Sequence, residues 1–306
     1  MLRREFLVLS GHAILAVPAA QLAAHPRTGD ADLTRDLAAV ERRIAGRLGV
    51  ASFNAATGRR LVYREHERFP LCSTFKWLLA AQVLSRVDAG HEHLSRVIAY
   101  GPSDLLEYAP VTRQQVAAGG MTVAALAEAA VEYSDNTAAN LLLGSVGGPN
   151  ALTRYVRTIG DRVTRLDRTE PDLNSADPGD PRDTTTPAAM LADLRRLLLG
   201  NALTSSSRAQ LLGWMRGCTT GSEKLRAGVP SDWRVGDKTG MGAHGSTNDV
   251  GILWPPGRAP VLVAAYLTDT DAAVADRNAA LARVAQVIVR WTSGSAQDRS
   301  ANPAQG

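Results

Sequence analysis

Ser73-Thr74-Phe75-Lys76-Trp77-Leu78-Leu79-Ala80-Ala81-Gln82-Val83-Leu84 is apolar on nearly every face once past its first turn. A helix apolar all round is a buried one, so this stretch is expected to form the central helix of the molecule. Its first turn carries a hydroxyl and an amine, Ser73 and Lys76, three residues apart on one face. A serine hydroxyl is a weak nucleophile until a neighbouring base takes its proton, and a desolvated lysine can become that base. Ser-x-x-Lys is also common, and a serine capping a helix accounts for Ser73 without any chemistry. The partners elsewhere in the chain decide the matter.

On the N-terminal side, Leu37, Val40, Ile44 and Leu48 recur at helical spacing from Thr34, a plausible cap. Gly49–Asn54 and Arg60–Arg64 flank Ala55-Ala56-Thr57-Gly58 and read as a hairpin. The Ser73 helix ends near Asp88-Ala89-Gly90, and the pattern then stays helical with loops to about Gly217. Within it lie the segments Thr122–Tyr133, Thr137–Gly144, Asn150–Ile159 and Ser207–Arg216. Thr186-Pro187 opens another helix, cap then proline, that runs to about Leu199. The last third changes character. Arg234–Lys238, Asn248–Trp254 and Val261–Thr268 read as strands, and Asp276–Thr292 closes the chain as a helix. Two strands in front, three behind and helices between predict an α+β fold. Its antiparallel five-stranded sheet is flanked by helices, and an all-helical lobe is inserted. The sheet lobe is expected from 27–65 and 224–295, the helical lobe from 66–223, and a disordered polar tail over 296–306.

Composition narrows the function. Hydrophobic residues make up 45% and charged ones 21% of the 306 residues, as in an ordinary soluble protein. The formal net charge of +4 is mild and no basic block interleaves with aromatics, so nucleic acid is not an expected partner. Six scattered His and two Cys show no metal-ligand spacing; neither a metal nor any other cofactor is expected. Residues 1–26 read as a twin-arginine signal peptide: Arg3-Arg4-Glu5-Phe6-Leu7, a short apolar run, then small residues at Ala19, Ala20, Ala23 and Ala24. That run is too short and interrupted to span a membrane, so the protein is expected outside the cytoplasm, periplasmic or secreted, as a monomer. There Cys72 and Cys218 meet oxidising conditions, and the sequence leaves open whether they pair.

Four further patches carry chemistry. Ser134-Asp135-Asn136 lies at a helix–helix junction, where Ser134 or Asp135 could simply be a cap. Glu170-Pro171-Asp172-Leu173-Asn174 sits in a stretch poor in apolar residues, from Arg165 to Asp183. Loops of that length in compact domains are uncommon and usually functional. Lys238-Thr239-Gly240 ends a strand, offering a cation, a hydroxyl and flexible backbone to a carboxylate. Tyr108 could wall a pocket or merely pack.

Ser73-x-x-Lys76, Ser134-Asp135-Asn136, Glu170-x-x-Leu173-Asn174 and Lys238-Thr239-Gly240, in this order, resemble the class A serine β-lactamases. The resemblance spans roughly Asp32 to Thr292 and implies the following roles. Ser73 attacks the lactam carbonyl of a small-molecule β-lactam and becomes acylated, and Lys76, or Glu170 through a water, takes its proton. Ser134 passes a proton to the leaving nitrogen in the field of Lys238. Glu170 and Asn174 activate the water that hydrolyses the acyl-enzyme. The backbone N–H groups of Ser73 and Met241 form an oxyanion hole. Asn136 holds the substrate's side-chain amide, Tyr108 walls the site, and Lys238, Thr239 and Gly240 meet its carboxylate. Arg168 and Asp183 pin the loop around Glu170.

The chain departs from the family pattern in three places. Met241 stands where many members carry Ala, Ser or Thr. No arginine follows on the next strand, which reads Ser246-Thr247-Asn248; Lys224, Arg226 or Arg277 could supply that charge, Lys224 being the first choice. Cys72 precedes the nucleophile as in some family carbapenemases, but the partner position holds Gly242, so the feature does not imply carbapenem hydrolysis. A penicillin-binding peptidase would share Ser73, Lys76 and Lys238-Thr239-Gly240, and Glu170 with Asn174 separates the two by giving the acyl-enzyme a hydrolytic exit. A β-lactam sensor domain would be tied to a membrane segment, and none is legible.

Overall fold

The computed structural model describes residues 28–300. Helix α1, Thr28–Ile44, leads into strands β1, Arg47–Asn54, and β2, Arg60–Tyr63. Helix α2, Phe75–Asp88, follows a single 3₁₀ turn over Cys72–Thr74. The helical stretch then supplies α3 (Val123–Glu132), α4 (Asn136–Val146), α5 (Pro149–Thr158), α6 (Pro187–Leu194) and α7 (Ser205–Arg216). Strands β3 (Arg234–Met241), β4 (Thr247–Trp254) and β5 (Val261–Thr268) precede the closing helix α8, Val274–Ser300. The five strands form one antiparallel sheet in the order β2-β1-β5-β4-β3, so the two chain ends meet at its centre, where Ser52 faces Val263.

The period of two along each strand divides the sheet into two apolar faces. On one, Leu48, Val50, Val263, Ala265 and Leu267 pack against Leu37, Val40 and Ile44 of α1 and Leu281, Val284, Ile288 and Trp291 of α8. On the other, Ala51, Val250, Ile252, Leu262, Ala264 and Tyr266 meet the helical side of the molecule. There α2 is buried along ten consecutive residues, Phe75 to Leu84, as its all-round apolarity demands. Burying each large apolar side chain contributes about 1.5–3 kcal/mol, so this helix anchors everything packed on it. Trp77 is wholly inaccessible, and its Nε1 donates to Met190 Sδ of α6 at 3.3 Å.

Helix starts follow local chemistry. Thr122, Asp135, Thr186 and Thr204 each accept a backbone N–H from three residues on, capping α3, α4, α6 and α7. Several boundaries differ from the sequence reading. Helix α1 starts at Thr28, so Thr34 is internal, and it stops at Ile44 because Ala45 turns left-handed with φ 47°. Gly46 then passes so close to Thr268 O that a Cβ there would lie 2.9 Å from it. Leu48 kept the helical spacing because it enters the same core from a strand. Strand β3 runs on through Met241, so Lys238-Thr239-Gly240 lies within it. The helix after Thr186 widens into a π-helical turn over Arg195–Leu199, and α8 passes Thr292 to reach Ser300. The helical side also contains two short antiparallel ladders, Phe69–Pro70 with Thr184–Thr185 and Val97–Ala99 with Gly120–Thr122.

No helix among the described residues is long and apolar enough to cross a membrane. The twin-arginine segment and residues 301–306 lie outside the described residues. Cys72 and Cys218 are both buried and free. Trp77→Ala should lower the unfolding free energy by about 3–5 kcal/mol in urea titration, the usual cost of removing a buried aromatic. A loss below about 2 kcal/mol would mean that α2 is not the centre of the packing.

Candidate active site

Four segments far apart in sequence converge at the start of α2. The 3₁₀ turn Cys72–Thr74 presents Ser73, with Cys72 in a left-handed conformation at φ 44°. Such a φ is strained for a residue other than glycine and persists only where its surroundings impose it. Two clamps hold the turn. Asn248 Nδ2 of β4 donates to Pro70 O at 2.9 Å and Leu71 O at 3.2 Å, and Leu71 N donates to Asp183 O at 2.8 Å.

Ser73 Oγ donates to Glu170 Oε1 at 3.0 Å, and Lys76 Nζ stands 2.9 Å from the same oxygen. The other carboxylate oxygen, Oε2, accepts from Asn174 Nδ2. Lys76 Nζ also donates to Ser134 O at 2.7 Å and Asn136 Oδ1 at 2.6 Å. Ser134, whose φ is 59°, thereby turns its carbonyl toward the lysine. Its hydroxyl receives Lys238 Nζ at 2.9 Å and lies 3.5 Å from Lys76 Nζ. Ser134 Oγ is thus set between two lysine side-chain nitrogens. Lys238 Nζ donates as well to Thr239 O at 2.8 Å.

The side chains of Lys76 and Glu170 are wholly shielded from solvent, as is Lys238. Burial, which disfavours charge, pulls Lys76 below the ordinary lysine range against the opposing field of Glu170. Burial likewise brings Lys238 down to about 8, with the Lys76 charge adding to the effect.

Each element fixes its side chain by local bonding. Asp135 caps α4 through Ala138 N at 2.9 Å while also accepting from Val111 N, Thr112 N and Thr112 Oγ1. That network sets the Ser134–Asn136 turn. The loop around Glu170 closes on itself where Asp183 Oδ1 accepts from Asp167 N and Arg168 N, at 2.7 and 2.9 Å, and Asp183 Oδ2 pairs with Arg168 Nε at 2.6 Å. The Arg168–Asp183 pair implied by the resemblance is therefore present.

Two contributors went unread in the sequence. Asn140 clamps the Glu170 backbone from both sides, accepting from its N–H at 3.0 Å and donating to its C=O at 2.8 Å. Its position one helical turn beyond Asn136 on α4 was the available signal. Thr220 Oγ1 lies 2.5 Å from Thr239 Oγ1, and nothing in the local sequence pointed to it.

The open edge of the sheet completes the arrangement. Among the described residues only β4 pairs with β3, and Gly242 N donates back to Ser246 O on that side, so strand alternation turns the Met241 N–H to the free edge. Gly240 runs so close to the turn at Ser73 that a Cβ there would lie 3.2 Å from Ser73 N. Tyr108 is half exposed at the rim; its carbonyl accepts from Asn136 N at 3.1 Å and its hydroxyl donates to Tyr133 O at 3.3 Å.

Of the three candidate cations, Arg226 is committed to Asp237, with Nε 2.8 Å from Oδ1. Lys224 Nζ reaches Thr220 O at 3.1 Å, on the Thr239 flank of β3. Arg277 Nη1 reaches Thr247 Oγ1 at 3.2 Å, across the strand pair from Met241. Among the described residues no group of three or more His, Cys, Asp or Glu is placed to hold a metal ion.

A serine hydroxyl on a buried lysine–carboxylate pair, a second hydroxyl between two lysines, and the N–H groups of Ser73 and Met241 near the sheet edge form an arrangement with the parts acyl transfer requires. Comparison with known proteins agrees. The family model described as the beta-lactamase enzyme family matches residues 32–292. The chain is 48% identical to beta-lactamase CTX-M-25 of Escherichia coli over 257 residues, covering 84% of this chain and 88% of that one. It is 45% identical to beta-lactamase OXY-2 of Klebsiella oxytoca, with 81% and 86% covered. Among solved structures an ancestral (GNCA) class A β-lactamase superposes with a TM-score of 0.83 at 60% identity, covering 85% of this chain and 99% of that one. The sequence resemblance is borne out: the chain belongs to the beta-lactamase enzyme family, as a class A serine β-lactamase.

Proposed function

We propose that the protein opens the lactam ring of β-lactam antibiotics through an acyl-enzyme on Ser73, and that the residues of the Ser73 cluster divide the work as follows. The observation that carries the reading is the three-way contact in which Ser73 Oγ and Lys76 Nζ share Glu170 Oε1. The proton leaving Ser73 passes to Lys76, or to Glu170 through a water, and the alkoxide attacks the lactam carbonyl. Ser73 N–H and Met241 N–H, brought together by the close passage of Gly240, hold the developing oxyanion. Ser134 delivers a proton to the departing nitrogen and is recharged across the short path from Lys76. Lys238, Thr239 and Gly240 line the carboxylate side, with Lys224 on the Thr239 flank as the added cation. Asn136 and Tyr108 bound the side-chain end of the substrate. Glu170, oriented by Asn174 and clamped by Asn140, then activates the water that frees Ser73.

The twin-arginine segment supports export of this enzyme to the compartment where cell-wall antibiotics act. Replacing Arg3-Arg4 by Lys-Lys should leave the precursor in the cytoplasm on fractionation; normal export of that variant would point to the general secretory route.

Glu170→Ala should still react with a penicillin, because Lys76 remains beside Ser73, and should stall at the ester. Loss of one general base costs on the order of 10² to 10⁴ in rate. Intact-mass spectrometry after brief mixing should show one added penicillin mass on Glu170→Ala and none on Ser73→Ala. Rapid turnover by Glu170→Ala with no trapped adduct would remove Glu170 from the hydrolytic step.

The lowered Lys238 sets a pH limit. A lysine is cationic below its pKa, so kcat/KM for an anionic β-lactam should be sustained below about pH 8 and fall as the pH rises through that value. Lys238→Arg keeps its charge and should move this alkaline limb upward. An unchanged limb in that variant would assign it to another group.

A further inference from the structure

A second cavity, of about 480 Å³, opens between the sheet edge and the end of α6, and none of its lining residues belongs to the Ser73 cluster. Its volume falls within the range of sites for small organic ligands. The floor is hydrocarbon: Phe53 of β1, with Leu191 and Ala192 of α6. The rim is cationic. Arg60 stands opposite Phe53 across the β1–β2 pair, and Arg195 and Arg196 come from the π-helical turn that ends α6.

That turn is built, not frayed. Leu197 and Leu198 bury their side chains in the core, and Arg208 donates to Gly200 O. A Cβ on Gly200 would lie 2.6 Å from Arg196 O, so only glycine closes the turn in this form. π-helical turns are rare and recur at functional sites, and this one places Arg195 over the Phe53 ring at the cavity.

The charges around the mouth are unbalanced. Arg60 is paired with Glu65, which also has His66 Nε2 at 3.5 Å. Arg196 has Asp193 at 3.6 Å, and its guanidinium packs on Gly160, where a Cβ would lie 3.2 Å from Nη2. Arg195 has no carboxylate in ion-pair reach among the described residues. Its guanidinium instead lies 4.6 Å from the Phe53 ring centroid, a stacking that directs it over the apolar floor. A ligand with a hydrocarbon body and one anionic head would pair with both parts at once.

We infer that this cavity is a binding site for a medium-chain alkyl carboxylate, its chain on Leu191 and Ala192 beside the Arg195–Phe53 stack and its head on Arg195. The site is independent of the chemistry at Ser73, so its occupant need not be a β-lactam.

Isothermal titration of the purified protein with decanoate tests this. Decanoate should bind one to one, with Kd on the order of 10⁻⁵ to 10⁻⁴ M, and decyltrimethylammonium, which presents the opposite charge on a similar chain, should not. Arg195→Ser, which removes the unpaired cation, and Ala192→Trp, which fills the floor, should each weaken decanoate by about tenfold or more. Neither residue touches the catalytic cluster, so unchanged penicillin hydrolysis by both variants verifies that they fold. Equal binding of the two surfactants, undiminished binding by both variants, or no saturable binding below about 10⁻³ M would each overturn the assignment.

Discussion

Lys76, Glu170 and Lys238 carry their ionisable groups wholly out of water, and the rest of the site is arranged to make that tolerable. An isolated buried charge costs several kcal/mol, and removing one partner of a buried pair typically costs 3–5 kcal/mol. Each group is therefore surrounded by partners. Lys76 has four oxygens about it, from Glu170, the Ser134 carbonyl and hydroxyl, and Asn136. Glu170 receives Ser73, Lys76 and Asn174 on its carboxylate and Asn140 on its backbone. The same desolvation that makes the cluster costly makes it reactive, because it lowers both lysines toward the pH at which they can exchange protons.

The remainder of the fold holds these groups against that cost. Helix α2 supplies the rigid platform, buried on all sides between sheet and helices. The turn before it is held by β4 through Asn248 and by the Glu170 loop through Asp183. Asp183 thus serves two ends at once: its side chain closes the loop on Arg168, and its carbonyl fixes the residue before Cys72. A change that opened the loop would loosen Ser73 as well as Glu170.

What could be read in the sequence follows from the range of each interaction. Ser73 and Lys76 are local, three residues apart on a helix whose burial is written in its apolarity, and their juxtaposition was legible without any relative, though not their use. Glu170 lies 97 residues from Ser73, so no periodicity could join them, and only the order of motifs along the chain did. The strands were legible by composition, and their ends were not. Leu48 satisfied the helical spacing of α1 because helix and strand bury against one core. The π-helical turn at Arg195 was invisible because Leu197 and Leu198 keep an apolar pattern that an α-helix would also show. Asn140 was missed although it stands one turn beyond Asn136, since its partner is the backbone of a distant loop.

Backbone proximity at the strand edge accounts for two glycines and settles the reading of Cys72. Gly240 brings β3 to where a Cβ would meet Leu71 O at 3.0 Å and Cys72 Cβ at 3.1 Å, so a side chain there would push Met241 N–H away from Ser73 N–H. Gly242 faces Cys72 directly, with the Cys72 thiol 2.7 Å from where its Cβ would lie. A thiol there fills the space that a glycine leaves, and burial pushes its pKa up, so it packs as a small apolar group and not as a nucleophile. The left-handed Cys72 backbone is therefore held from two directions, by the close passage of Gly240 on the edge strand and by Asn248 on the next strand. The geometry that presents Ser73 is imposed by its neighbours, and it would relax if either strand were displaced.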